Sequence, residues 1–265
     1  MNICGSMSYG VALFSTNLKA AVALRGAFWL QAIFMILNNL IFAGVWWIFY
    51  ERFKSINGWR SGDTFLLMGI VALAYGVSVV FAGGARTLSL VITEGALDTY
   101  LTQPKWPLMQ VVLSRSYASG WGDILSALVL LACSDRIGVS KIPAVFFCTA
   151  CGAIVFTATA VVAHSIAFWA GPIDSLARQF TEFLITFSLY PEKLFGGWLR
   201  WLLFSAVPAG FVGFLPASLL SEFTWTRAGI LAIASLGYVA LAVGVFARGL
   251  RRYESGNQFV AGAGG

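Results

Sequence analysis

Long apolar runs separated by short polar stretches set the character of this chain of 265 residues. The runs 28–50 and 64–85 carry no charged side chain. At about 1.5 Å per helical residue, each is long enough to cross the roughly 30 Å of bilayer hydrocarbon. Trp46, Trp47 and Tyr50 crowd the far end of the first run, as an interfacial aromatic belt does. Asn38 and Asn39 fall at its middle, where they serve either a polar pathway or hydrogen bonds between helices. A third span is predicted over 117–134, with Arg115 just before it and Asp123 inside it. Asp123 either lines a path for a cationic substrate or forms an ion pair with Arg115 or Arg178. Lys141 and Pro143 mark the entry to a fourth span, 142–171, the proline standing in the first turn where no intrahelical bond is lost. Its ionisable side chain is His164, read as a hydrogen-bonded packing residue ahead of a proton relay.

Beyond Gly171 and Pro172 the pattern becomes amphipathic. Over 173–190, Ile173, Leu176, Ala177, Phe180, Phe183, Leu184 and Phe187 are apolar on one side. Asp174, Arg178 and Glu182 recur at every fourth position on the other. This segment either spans with its charges toward protein or lies at the interface. The stretch 201–221 is charge-free but interrupted by Pro208 and Pro216. A last span is predicted over 227–248, ending in Arg248 and followed by Arg251 and Arg252. Before the first span, 8–27 mixes apolar residues with Asn17, Lys19 and Arg25, which predicts an amphipathic helix at the membrane surface.

Between the second and third spans lies a polar island, T-E-G-A-L-D-T-Y-L-T-Q-P-K-W-P at 93–107. Glu94, Gly95, Leu97, Asp98, Leu101 and Pro104 give it the pattern E-G-x-L-D-x-x-L-x-x-P. Read as one helix over 93–103, it puts Leu97 and Leu101 on one face with Tyr100 beside them. Glu94 and Asp98 form a second, acidic face. Glu94 then falls in the first turn, where the helix dipole favours an anion. Pro104 and Pro107 end the helix. So short a helix is marginal alone, so it is expected to dock on another protein. Leu97, Tyr100 and Leu101 would supply the contact, and Glu94 and Asp98 the orientation.

Composition agrees with a polytopic membrane protein. Hydrophobic residues make up 59% and charged ones 11%, against about 25% charged in soluble domains. The net charge of +6 fits cytoplasmic loops and anionic headgroups better than nucleic acid. Cys148 and Cys151 form C-x-x-C without a second pair, so they read as packing residues rather than a metal or redox site. The chain's beginning has no basic region ahead of an apolar core and is not expected to be a cleaved leader. There is no P-loop, no H-E-x-x-H and no G-x-S-x-G, and the chain holds one histidine. No enzymatic activity is expected of the chain by itself.

Three stretches resemble the permease subunit of ABC type-2 exporters. The island is similar to that family's loop between spans two and three, whose coupling helix seats in a groove of the ATP-binding subunit. The run Y-P-E-K-L-F-G-G-W-L-R-W-L-L-F-S-A-V-P at 190–208 looks like the family's re-entrant outer hairpin. The tail G-L-R-R-Y-E-S-G-N at 249–257 resembles one subfamily of six-span bacterial permeases. Lys193 and Arg200 make this hairpin more basic than the common pattern. Treating 201–221 as the spanning segment would move both inside and strengthen the positive-inside bias; the resemblance favours the hairpin.

The resemblance implies an all-α fold of six transmembrane helices, with the fifth at 173–190 and a re-entrant hairpin at 191–221. An interfacial helix at 8–27 precedes them, and a coupling helix lies at 93–103. It implies a bacterial plasma membrane location. The arginines at the end of the last span are expected in the cytoplasm by the positive-inside rule, and the two spans before a cytoplasmic island put the other terminus there too. Its partners would be two ATP-binding subunits, which hold the ATP and Mg, and a second permease chain, the same or related, in membrane lipid. The cargo expected is an amphipathic small molecule or lipid-like substrate moved outward. The rival expectation is an ion-coupled secondary transporter or channel without an ATPase. That class predicts charges at the midplane and an internal repeat; only Asp123 fits.

Overall fold

The computed structural model describes residues 15, 16, 19, 25–55 and 58–254. The expected surface helix over 8–27 lies largely outside these. All regular structure among the described residues is helical. In chain order the helices are α1 (Arg25–Phe53), α2 (Ser61–Phe81), α3 (Leu88–Thr93), α4 (Asp98–Leu101), α5 (Pro107–Val112) and α6 (Ala118–Cys133). There follow α7 (Ile142–Ser165), α8 (Ala167–Ala170), α9 (Asp174–Leu189), α10 (Trp198–Leu203), α11 (Leu215–Ser221) and α12 (Trp225–Leu250). Among the described residues, four stretches are long and apolar enough to cross a bilayer: α1, α2, Val139–Ala170 and α12. Helices α6 and α9 have 16 residues each, about 24 Å of rise.

Helix α2 is the centre of the bundle and is buried on nearly every side. It packs most extensively on α6 and then on α7. Apolar burial gives little drive between helices in lipid, so close fit and small residues must hold them together. Gly76 and Gly120 meet that need. A Cβ at Gly76 would lie 2.7 Å from the Gly120 carbonyl oxygen, and one at Gly120 would lie 2.9 Å from that of Gly76. Helix α1 leans on α6, with the Ala32 carbonyl facing Gly122. Its other face is bare, with Leu30, Phe34, Ile41 and Ile48 exposed. Helix α12 lies along α7, and Ser235 donates to the Cys151 carbonyl at 3.4 Å.

The stretch 201–221 is not one continuous helix. It breaks after α10, resumes in a π-helical turn at Gly210–Phe214 and ends in α11. The Phe204 ring lies against Phe211 and Phe214. This packing buries Leu203, Val212 and Leu219 against α2 and α7 residues. Tyr190, just after α9, meets Phe42 and Trp46 of α1 edge-on. The first turn of α2 is tied to the α6–α7 connection by an Arg136–Asp63 ion pair at 2.8 Å.

Candidate coupling surface and polar face

The polar island is two short helices rather than one over 93–103. Helix α3 ends at Thr93, and Gly95 takes φ +74°, a left-handed conformation that glycine adopts without steric cost. The chain turns through Ala96 and Leu97 before α4 begins at Asp98. Glu94 therefore follows the C-terminal end of α3, where the dipole disfavours an anion. The expected first-turn position is not where the structure puts it.

The turn at Gly95 sends Leu97 inward. It is fully buried with Leu88, Leu108, Val111, Val161 and Phe246, so it anchors the island to α7 and α12 and is not available to a partner. Tyr100 is half-buried against the same cluster, and Asp98 is half-buried. Leu101 is 41% exposed, and Glu94, Thr99, Thr102, Gln103 and Pro104 are exposed with it. The outward surface is thus mostly polar, with two large apolar side chains on it, Leu101 and Trp106.

Gln110, which the pattern of residues did not single out, braces this surface from below. It is 1% exposed, and its Nε2 donates to the carbonyls of Tyr100 at 3.2 Å and Lys105 at 3.0 Å. One buried amide therefore closes the loop that carries Pro104. Its only signal in the sequence is a polar residue amid the apolar positions of 108–113. Trp106 completes the brace, its ring 6.5 Å from that of Phe246 in α12.

The mid-span polar residues separate into two groups. Asn39 donates to Asp123 Oδ1 at 2.8 Å and to Ser126 Oγ at 2.8 Å. Asp123 is buried and forms no ion pair with Arg115 or Arg178 among the described residues. Arg178 pairs instead with Asp174. Asn38 does not join this group. It is exposed in an open groove beside Gln31, Phe34 and Ser119, at the edge of the α1–α6 contact.

Helix α9 presents the other polar surface. Ala177, Thr181, Leu184 and Ser188 face inward, while Ser175, Arg178, Gln179, Glu182 and Thr186 are exposed. Leu176 and Phe183, expected on the apolar side, are exposed as well, because the inward face is too narrow to cover them. Glu182 has no ion-pair partner among the described residues. A stripe of this kind is too costly to face hydrocarbon.

No group of three His, Cys, Asp or Glu side chains capable of holding a metal ion occurs among the described residues. Cys148 and Cys151 are free thiols buried in α7. A family model described as "ABC-2 family transporter protein" matches residues 27–257. No curated protein and no solved structure matches the chain.

Proposed function

The chain belongs to the ABC-2 family of transporter proteins, and we propose that it is the permease subunit of an ATP-driven exporter whose ATPase docks on the α3–α5 island. The observation that carries this reading is the island itself: a polar, protruding surface fastened to the bundle by Leu97 and Gln110. Force applied to Leu101 or Glu94 would be passed to α7 and α12 rather than lost in a loose loop. ATP and Mg would be held by two partner subunits. Their closure would rock the spans between inward-open and outward-open states.

In this proposal α6 and α9 also cross the membrane, making six spans, and 191–221 returns to the outer side. The polar face of α9 then needs a second permease chain, a copy or a relative, to enclose it. That enclosed face is the proposed path, with Asn39 and Asp123 at its margin and Asn38 toward the lipid. Both termini lie in the cytoplasm of a bacterial plasma membrane, with the arginines after α12 on the inside. An amphipathic or lipid-like cargo suits two apolar clefts along α2 and α7. One, of about 360 Å³, is lined by Val77, Phe81, Met109, Ala153 and Val239. The other, of about 670 Å³, is lined by Leu73, Val77, Leu128 and Phe146. They meet at Val77.

Co-purification with a Walker-motif ATPase and measurement of its hydrolysis test the docking. Leu101→Asp combined with Glu94→Lys is expected to abolish association while the permease itself folds. An intact, fully active complex would end the proposal. The ion-coupled alternative draws on one observation, the unpartnered Oδ2 of buried Asp123. Uptake driven by a proton gradient without nucleotide would favour it.

A further inference from the structure

Three helices that are far apart in sequence meet at one buried polar junction. Ser89 on α3 lies 2.7 Å from His164 Nδ1 on α7 and donates to Asp174 Oδ1 on α9 at 2.9 Å. Ser89 and His164 are both fully buried. The second Asp174 oxygen holds Arg178. The proton count fixes the direction of the chain. A hydroxyl has one proton, and Ser89 gives it to the carboxylate, so His164 Nδ1 must carry the hydrogen donated to Ser89 Oγ. The sequence of donors is His164 to Ser89 to Asp174, with Arg178 closing the far side.

These residues resemble the members of a hydrolytic triad but not its arrangement. In a triad the carboxylate orients the imidazole and the imidazole takes the hydroxyl proton. Here the carboxylate takes the hydroxyl's proton directly. Nor is Ser89 reachable from outside. A structural role as a mere filler also fits poorly, because His164 Nε2 and the neighbouring Ser165 hydroxyl remain buried without partners. Such groups carry a desolvation cost that well-packed apolar residues would avoid.

The position of the junction supplies its use. Ser89 sits one helical turn before Thr93, the last residue of the helix that delivers the docking island. His164 is at the end of α7, and Asp174 is the first residue of α9, whose exposed face holds Arg178 and Glu182. We infer that the Ser89–His164–Asp174 junction is the positioning element that passes movement of the docked island into α9. The inference rests on the coupled-export reading above. Leu97 links the island to α7 and α12 through apolar packing, whereas Ser89 gives the island's hydrogen-bonded link to α9. Hydrogen bonds have fixed direction, so they transmit a tilt of α3 that sliding apolar surfaces would absorb.

The test uses the reconstituted complex with its ATPase. Transport per ATP hydrolysed is measured together with spin-label distances from position 99 on the island and position 179 on α9 to a fixed site on α12. In the unaltered protein both distances are expected to change on nucleotide trapping. Ser89→Ala is expected to preserve hydrolysis and movement at position 99, to abolish movement at position 179, and to lower transport per ATP by about five-fold or more, the lower end of ordinary coupling between sites. Ser89→Thr, which keeps the hydroxyl, restores both. Ser89→Ala that moves and transports as the unaltered protein does would overturn the proposal and leave coupled export standing. Equal losses in the Ala and Thr variants would also overturn it, by showing that Ser89 acts through packing. An unaltered complex with no movement at either position would overturn both readings.

Discussion

The side-chain amide of Asn39 bridges α1 to α6 by donating to Asp123 Oδ1 at 2.8 Å, and Asp123 Oδ2 is left without a partner. Helix α1 also meets the bundle through Ala32, Ala43 and the buried Tyr50, whose hydroxyl lies 2.7 Å from that of Thr64, and through Phe42 and Trp46 against Tyr190. The Asn39 bond is the polar contact among these at mid-helix, and with them it fixes the rotation of α1. Asn39→Ala is expected to cost about 1–3 kcal/mol, the penalty for leaving a buried acceptor unpaired. Thermal unfolding of the purified protein in detergent checks this. Asp123→Asn keeps the shape and one acceptor oxygen, so it is expected to retain most of the stability. If Asp123 contributes to a cationic path, that same variant lowers export of cationic amphiphiles. Unchanged export at normal expression would remove Asp123 from the path and leave it as a bridge.

The crossing of α2 and α6 gives a second expectation. With Cβ-to-carbonyl distances of 2.7 and 2.9 Å at Gly76 and Gly120, even alanine pushes backbone against backbone. Gly76→Ala is expected to destabilise by about 1–3 kcal/mol, as overpacking does, and Gly76→Leu to abolish folded yield. Gly229, which has open space around its Cβ position, serves as the control. Gly229→Ala should leave size-exclusion profile and melting temperature unchanged. Equal behaviour of the two alanine variants would contradict the packing described.

Legibility in the sequence followed physical scale. The spans 28–50, 64–85 and 142–171 were readable because membrane crossing is a property of a continuous stretch, and α1, α2 and α7 appear there. The break before Pro208 is readable from that proline, whereas Pro216 breaks nothing: it sits in the first turn of α11, which continues the π-helical turn directly. The island was found but its inside and outside were not. Gly95 was visible in the pattern, yet a helical face drawn straight through it put Leu97 and Leu101 together. Once φ at Gly95 is positive, which of the two points inward depends on Phe246 and Val161, far along the chain. Asp123 was noticed as the lone acid of its span, but its partner lay 84 positions away. Nothing local distinguishes Asn39 from Asn38. Ser89 was invisible for the same reason, as its partners lie 75 and 85 positions on.

Surface and core effects should divide between the two ion pairs differently from their geometric similarity. Arg136–Asp63 is 2.8 Å long, yet the arginine side chain is 43% exposed. Solvent and side-chain entropy cancel most of its Coulomb attraction, so Arg136→Ala is expected to change stability by less than about 1 kcal/mol. Asp174 is more enclosed, with its side chain 13% exposed, and it also accepts from Ser89. Asp174→Ala should cost more, about 2–3 kcal/mol, because Ser89 and Arg178 lose their common acceptor together. Chemical unfolding of both variants in the same detergent gives the comparison. A larger loss for Arg136→Ala would reverse the assignment.

Leu97 and Leu101 provide the sharpest separation of folding from function, because they lie one helical turn apart and differ in burial. Leu97→Ala removes a fully buried side chain from the cluster around Phe246, and the cavity it leaves is expected to cost about 2–5 kcal/mol. The protein should melt earlier and bind an ATPase poorly only as a consequence. Leu101 is 41% exposed, so Leu101→Ala should leave the melting temperature within error. If the exposed surface is the docking site, Leu101→Ala still weakens ATPase association, by about tenfold or more if Leu101 is an interface anchor. Measuring melting and association on the same preparations makes the two effects cross. The first variant loses stability before binding, and the second loses binding without stability. A Leu101→Ala protein that binds and stimulates the ATPase normally would show that the partner contacts another part of the island, and Glu94 and Thr99 would then be the next side chains to change.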